Sequence, residues 1–378
     1  MKKVLSCIAA ACAMGFSVSA SADIVVGVIL GETGPSASIG IQAKNAFAIL
    51  PDTMAGEKVR YIIMDDATDP TKAVRNARKL TAEDKVDVLI GSISVPTILA
   101  ISEVAAETKT AQIGLSPITG AAAENPWLFS VAQPTPIMMS AIVEDMAARK
   151  VKTIGYIGFA DSWGDQAYEG FAGQAQAAGM KVVANERYAR TDTSVAGQVL
   201  KVLASKPDAI VIGAAGNPAV LPNVTLVERG FKGPIYHTHG VITQDFLRLG
   251  GKAVEGAIAT SGPLVVAEQL PDSHPTKAVS LAFIKAFEDK FGEGRRDTWA
   301  GYVYDAYLLI EHAAPAALKQ GRPGSVEFRQ ALRDNMEGID GLPTTQAVRV
   351  LSPSDRSGVD EKNSRVLVTV RDGKWQLK

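Results

Sequence analysis

Three stretches gather small hydroxyl residues with glycine and proline: Gly31-Glu32-Thr33-Gly34-Pro35-Ser36-Ala37-Ser38-Ile39-Gly40, Gly91-Ser92-Ile93-Ser94-Val95-Pro96-Thr97 and Ser116-Pro117-Ile118-Thr119-Gly120. Each follows a short apolar run, and the arrangement places hydroxyls and free backbone N–H groups at a helix start, where the helix dipole favours negative charge. A carboxylate is the natural guest. Any one of these serines or threonines serves equally as a helix N-cap; three such loops after neighbouring strands favour a shared site.

Other chemistries lack their residues. There is no GxxxxGK[ST] loop, no HExxH and no GxSxG elbow, and Gly31 to Gly34 is not the dinucleotide pattern GxGxxG. Of His237, His239, His274 and His312 only the first two are close, and no acidic residue flanks them, so neither a metal nor a cofactor is expected. The pair Asp65-Asp66 stands before a helix that starts at Pro70, and it reads as capping instead of catalysis. Both cysteines, Cys7 and Cys12, fall in the first segment, so residues 23–378 contain no disulfide, thiolate ligand or cysteine nucleophile. No catalytic residue is assigned.

The elements that would position the loops alternate. Strands are expected at Ile24 to Leu30, Val59 to Met64, Val86 to Ile90, Ala111 to Leu115 and Leu128 to Val131, with a helix capped by Asp69 and opened by Pro70 between the second and third. A second series follows, with strands Thr153 to Gly158, Lys181 to Ala184, Ala209 to Gly213, Pro234 to His237 and Ala257 to Ser261, separated by helical patterns. Helices Thr276 to Phe291 and Trp299 to Leu318 come next and are expected to pack back onto the first series. Arg365 to Val370 and Lys374 to Leu377, around Asp372-Gly373, read as a hairpin, and Ser352 to Lys362 as a surface loop.

Composition narrows the setting. Lys2 and Lys3, the apolar run Val4 to Val18 and Ala20-Ser21-Ala22 have the form of a cleavable export signal, with cleavage expected before Asp23. Without Lys2 and Lys3, 39 basic residues against 40 acidic ones become a net charge of about −3, which attracts neither nucleic acid nor an anionic membrane. No later apolar run reaches the ~20 residues of a membrane span.

Taken in order, Gly27 to Gly40, Asp65-Asp66-Ala67-Thr68-Asp69-Pro70, Ile90-Gly91, Ser116-Pro117, Asp161-Ser162-Trp163-Gly164 and Tyr302-Val303-Tyr304-Asp305-Ala306 resemble the branched-chain amino acid (leucine/isoleucine/valine) type of periplasmic binding protein. The resemblance spans nearly the whole chain after residue 22. It implies an α/β fold of two Rossmann-like, doubly wound lobes with a three-crossing hinge, one lobe from 23–133 and 262–362, the other from 134–261 and 363–378. It also implies a small-molecule ligand enclosed between closing lobes, an inner-membrane ABC permease as partner, a periplasmic location and a monomer.

Carried over residue by residue, the resemblance implies that the loop holding Ser94, Val95 and Thr97 and the loop holding Ile118, Thr119 and Gly120 grip a carboxylate. Trp163 takes the place of a covering aromatic that is usually tyrosine, and Trp299 is a second aromatic at a lobe edge. Ile39 stands where tyrosine is common, and Gly216 or Asn217 replaces another tyrosine. His239 falls on the acidic residue that receives the α-ammonium, and an imidazole cannot replace a carboxylate in that role. These departures favour an aromatic or other carboxylate without an ammonium group. Amino acid binding is the alternative, and a periplasmic ligand sensor a further one.

Overall fold

The computed structural model describes residues 22–118, 120 and 124–378. The expected export signal before Ala22, and Thr119, lie outside the described residues. The first sheet is built from β1 (Ile24–Leu30), β2 (Thr53–Met54), β3 (Glu57–Asp65), β4 (Val88–Gly91), β5 (Ala111–Gly114) and β6 (Leu128–Ser130), in the order β2-β3-β1-β4-β5-β6. Every residue of β1 is buried, as a central strand covered on both faces requires. It pairs in parallel with β3, Val26 against Tyr61, and with β4, Val26 against Val88.

The second sheet repeats the plan. Its strands are β7 (Thr153–Phe159), β8 (Lys181–Tyr188), β9 (Ala209–Gly213), β10 (Ile235–His237) and β11 (Ile258–Ser261), and β7 lies between β8 and β9 as β1 lies between β3 and β4. A small hairpin, β12 (Asp340–Pro343) and β13 (Val348–Val350), stands apart. The final hairpin, β14 (Val366–Arg371) and β15 (Lys374–Leu377), joins the second sheet antiparallel to β11. Helices Lys277–Phe291, Thr298–Ala317 and Val326–Glu337 pack on the first sheet, sharing one core in which Phe283, Phe287, Leu309 and Phe328 meet Ile24, Val28 and Ile113. The chain therefore crosses between sheets three times: after β6, after β11 and before β14.

A buried polar knot holds these crossings. The Tyr302 hydroxyl donates to Gln133 Oε1 at 2.6 Å, and Gln133 Nε2 donates to the Ser364 carbonyl at 2.9 Å. Beside it Arg349 and Asp305 form a fully buried ion pair at 3.2 Å. Arg349 also donates to the carbonyls of Val131 at 2.6 Å and Ser357 at 2.9 Å, while the N–H and hydroxyl of Thr345 both reach Asp305 at 2.7 Å. The stretch Ser352 to Lys362, expected as a surface loop, is anchored here: Arg356 is buried and donates to Glu337. No described helix is long and apolar enough to cross a membrane.

Removing one member of a buried ion pair leaves the other charged and unsolvated. Replacing Arg349 by methionine is expected to lower unfolding free energy by about 3–5 kcal/mol, measured by urea denaturation. An unchanged midpoint would contradict the dry environment assigned to the pair.

Candidate functional site

Open α/β sheets present ligands beyond the carboxyl ends of their strands, at the point where strand order reverses. In both lobes that point flanks the first strand, β1 or β7, and the two points face one another. The loops between them meet at a small cavity lined by Ile39, Ile93, Ser94, Val95, Ser116 and Trp299 from one side and Trp163, Arg190, Ala215, His239 and Gly240 from the other.

The first wall is set by caps. Ser94 is the N-cap of helix Val95–Thr108, with Pro96 in the first turn, and its Oγ lies 3.4 Å from the Thr97 N–H and 2.7 Å from the Thr97 hydroxyl. By helix geometry the N–H of Val95 has no acceptor within its helix. Ser116 donates to the Ile93 carbonyl at 2.6 Å, tying two loops together. Asp66 accepts from the Ser92 hydroxyl at 2.6 Å and Asp65 from the N–H groups of Glu32, Thr33 and Ala67, so the acidic pair braces the loops beneath the wall. Ile39 comes close because Gly40 lets its helix touch the loop that leaves β1: a Cβ at Gly40 would lie 2.1 Å from the Gly31 carbonyl oxygen.

The second wall turns on Asp161. Its Oδ1 accepts the N–H groups of Trp163 and Gly164 at 3.0 and 3.1 Å, capping helix Ser162–Ala177, and its Oδ2 accepts Arg190 Nε at 2.6 Å. Arg190 also lies over the Phe159 ring at 4.2 Å. The Nη atoms of Arg190 make no hydrogen bond to another described residue, and the guanidinium lines the cavity with the Asp161 carboxylate beside it. His239 is 1% exposed, and burial pushes its pKa down to about 4, so the ring is neutral at pH 7. It meets Trp163 edge-on at 5.6 Å between ring centres and Trp299 at 6.4 Å.

Four buried nitrogens here have no partner in the protein: Trp163 Nε1, Trp299 Nε1 and both ring nitrogens of His239. Buried polar atoms are nearly always hydrogen-bonded, and the three residues that carry these nitrogens all line the one cavity. Several hydrogen bonds join the lobes. Asn217 N–H donates to Ser38 Oγ at 3.3 Å, Gln166 Nε2 to the Pro117 carbonyl at 3.0 Å, and Gln244 Nε2 to the Gly294 carbonyl at 2.9 Å.

Of the residues singled out from the sequence, Ile39, Ser94, Val95, Trp163, His239 and Trp299 line the cavity. Thr97 does not: its hydroxyl is spent on Ser94. Ile118 packs with Ile98 and Leu128, and Gly120 adopts φ +84 with open space around it. Gly216 and Asn217 meet the opposite lobe at Ser38, where φ +63 at Gly216 suits glycine, so they hold the cleft shut and do not line it. His237 points into its own lobe, bonded to Asn223 at 2.9 Å and packed edge-on against Phe246, and no metal-binding cluster forms among the described residues.

Arg190 escapes the sequence reading. The apolar run marking β8 stops at Ala184, whereas the strand continues through the polar Asn185, Glu186 and Arg187 at the sheet edge to Tyr188. Extending it there puts Arg190 just past the strand's carboxyl end, where it lines the cavity.

Two doubly wound lobes, joined by three crossings and shut over a cavity at both switch points, define a two-lobed binding protein of the type I periplasmic architecture. Residues 23–360 match the family model described as periplasmic binding protein, and the chain belongs to that family. It is 41% identical to an extracellular ligand-binding receptor from Rhodopseudomonas palustris HaA2, whose crystal structure superposes with a TM-score of 0.91 over 94% of this chain and 100% of that one. It is 23% identical to Leu/Ile/Val-binding protein homolog 3 of Brucella melitensis, over 93% of each chain. At 20% identity, with a TM-score of 0.77 over 94% of this chain and 95% of the other, it shares the fold of an R. palustris solute-binding protein of an ABC transporter solved with benzoate.

One carboxyl beside the site titrates far from its ordinary range. Asp297 caps the helix that carries Trp299, with Oδ1 2.7 Å from the Trp299 N–H and Oδ2 unpartnered, and burial pushes its pKa up from 3.8 to about 7. A raised carboxyl pKa means the native state holds a proton the unfolded state has released, so this group's contribution to stability falls as pH rises from about 4 to about 7. His237 and His239, with pKa values lowered to about 3 and about 4, act in the opposite direction, so a difference profile is needed. Asp297→Asn keeps the cap and is expected to gain stability relative to the parent across that window, measured by urea denaturation at several pH values. A flat difference would contradict the assignment.

Proposed function

We propose that this protein is the solute-receiving component of an ABC importer, working in the periplasm as a monomer, and that it closes its lobes on a small organic carboxylate without an α-ammonium group. The carrying observation is the cavity wall: among the described residues it holds one guanidinium, Arg190, buried neutral N–H donors, and no aspartate or glutamate. An anion finds a charge-assisted fork and a helix N-terminus there. An ammonium finds no carboxylate, and burying it unpaired costs several kcal/mol. The apolar remainder, from Ile39, Ile93, Val95 and the two indoles, suits a flat or branched hydrocarbon body, and the benzoate-bound solute-binding protein of the same fold is consistent with that class.

Relatives named for leucine, isoleucine and valine favour a second reading, in which an amino acid is held with its ammonium on carbonyl oxygens. The imidazole at position 239 weighs against it. Nothing in the wall pairs a nucleophile with a base, so the ligand is expected to leave chemically unchanged.

Calorimetry separates the readings. Aromatic and aliphatic carboxylates are expected to bind while their methyl esters and leucine do not, and Arg190→Gln is expected to weaken the acids by ~30-fold or more, the cost of removing one partner of a buried charge pair. Tight leucine binding by the parent protein would overturn the proposal, and equal binding of acid and ester would remove the role given to Arg190.

A further inference from the structure

The polar groups of the cavity ask for more than a carboxylate can supply. Arg190 and Trp163 are tied together through Asp161, and with the helix N-terminus at Ser94 and Val95 they form the anion-receiving part of the wall. His239 and Trp299 come from different lobes and meet across the same space, with ring centres 6.4 Å apart. A neutral imidazole has one N–H and one bare nitrogen that accepts, whichever tautomer is present. Both nitrogens of His239 are buried and unpartnered, and so is the Trp299 N–H. An ionised carboxylate only accepts. It can satisfy the indole and one imidazole nitrogen, and it leaves the accepting nitrogen dry and unpaired. Among the described residues no N–H or O–H serves that nitrogen, and a ligand group can supply one. A cationic donor is opposed by the absence of an acid in the wall. A hydroxyl, with one hydrogen to give and lone pairs to receive, matches the accepting nitrogen of His239 and the indole N–H of Trp299 at once.

We propose that the ligand is a hydroxylated carboxylate, its carboxylate held by Arg190 and the helix start at Ser94, its hydroxyl placed between His239 and Trp299. This rests on the carboxylate reading and deepens it. A site built to pair a hydroxyl penalises the analogue without one, because its own buried groups are then left unpaired.

The test uses the parent protein and matched acids that differ only by the hydroxyl: benzoate against 4-hydroxybenzoate, 3-phenylpropanoate against 3-(4-hydroxyphenyl)propanoate, and hexanoate against 6-hydroxyhexanoate, each titrated calorimetrically. In at least one pair the hydroxyl is expected to raise affinity by about 5- to 150-fold, the equivalent of a buried polar group gaining its partner. In His239→Phe the ratio within that pair is expected to collapse, and Trp299→Phe, which keeps the ring, is expected to reduce it and stands in if the first variant does not fold. Acids that bind with no preference for the hydroxyl in any pair would overturn the proposal, as would a preference that survives in both variants. Failure of every acid, plain or hydroxylated, would overturn the carboxylate reading itself.

Discussion

Shutting a cleft over N–H groups takes them away from water, and the protein offers them nothing in return. Trp163 Nε1, Trp299 Nε1 and the two nitrogens of His239 are buried without a partner in the closed arrangement, and each such group costs of order 1–3 kcal/mol. Hydrogen bonds between the lobes, those from Asn217, Gln166 and Gln244 among them, offset part of that cost. A guest that satisfies the remaining groups tips the balance. On the proposed reading binding and closure are one event, since a ligand shifts a two-state protein only by what it contacts in one state and not in the other.

The rest of the architecture makes that event local. Both sheets carry the same strand order around β1 and β7, so each presents a switch point, and the crossings set the two face to face. Caps do the fine placement: Ser94, Asp161 and Asp297 each spend an oxygen on a helix N–H and thereby fix Val95, Trp163 and Trp299 at the cavity. The buried pair of Arg349 and Asp305 and the Gln133 knot hold the chain where it passes between lobes.

Much of this was legible in the residues. Alternating apolar runs and capped helical patterns mark the parallel sheets, and the hydroxyl-rich loops mark the first wall. What was hidden depends on lateral neighbours. Arg190 follows an edge strand whose second half is polar, so local hydrophobicity could not extend β8 to it. Gly216 and Asn217 belong to the meeting of two lobes, which no local pattern records. Helix Val326–Glu337 is different: Ser325 caps it, and Phe328, Ala331, Leu332 and Met336 fall on one buried face, so its signal was present though no element was expected there.

On the proposed reading, the lobes shut because a carboxylate completes the cavity. This is tested most directly by pulsed electron resonance between spin labels on Ile41→Cys and Leu249→Cys, exposed positions on opposite lobes in a chain without cysteine after residue 12. Without ligand the distance distribution should be broad and long; with a saturating acid that binds calorimetrically it should narrow to the closed separation, and in Arg190→Gln the same addition should leave it broad. A distribution that is identical with and without the acid would contradict the account.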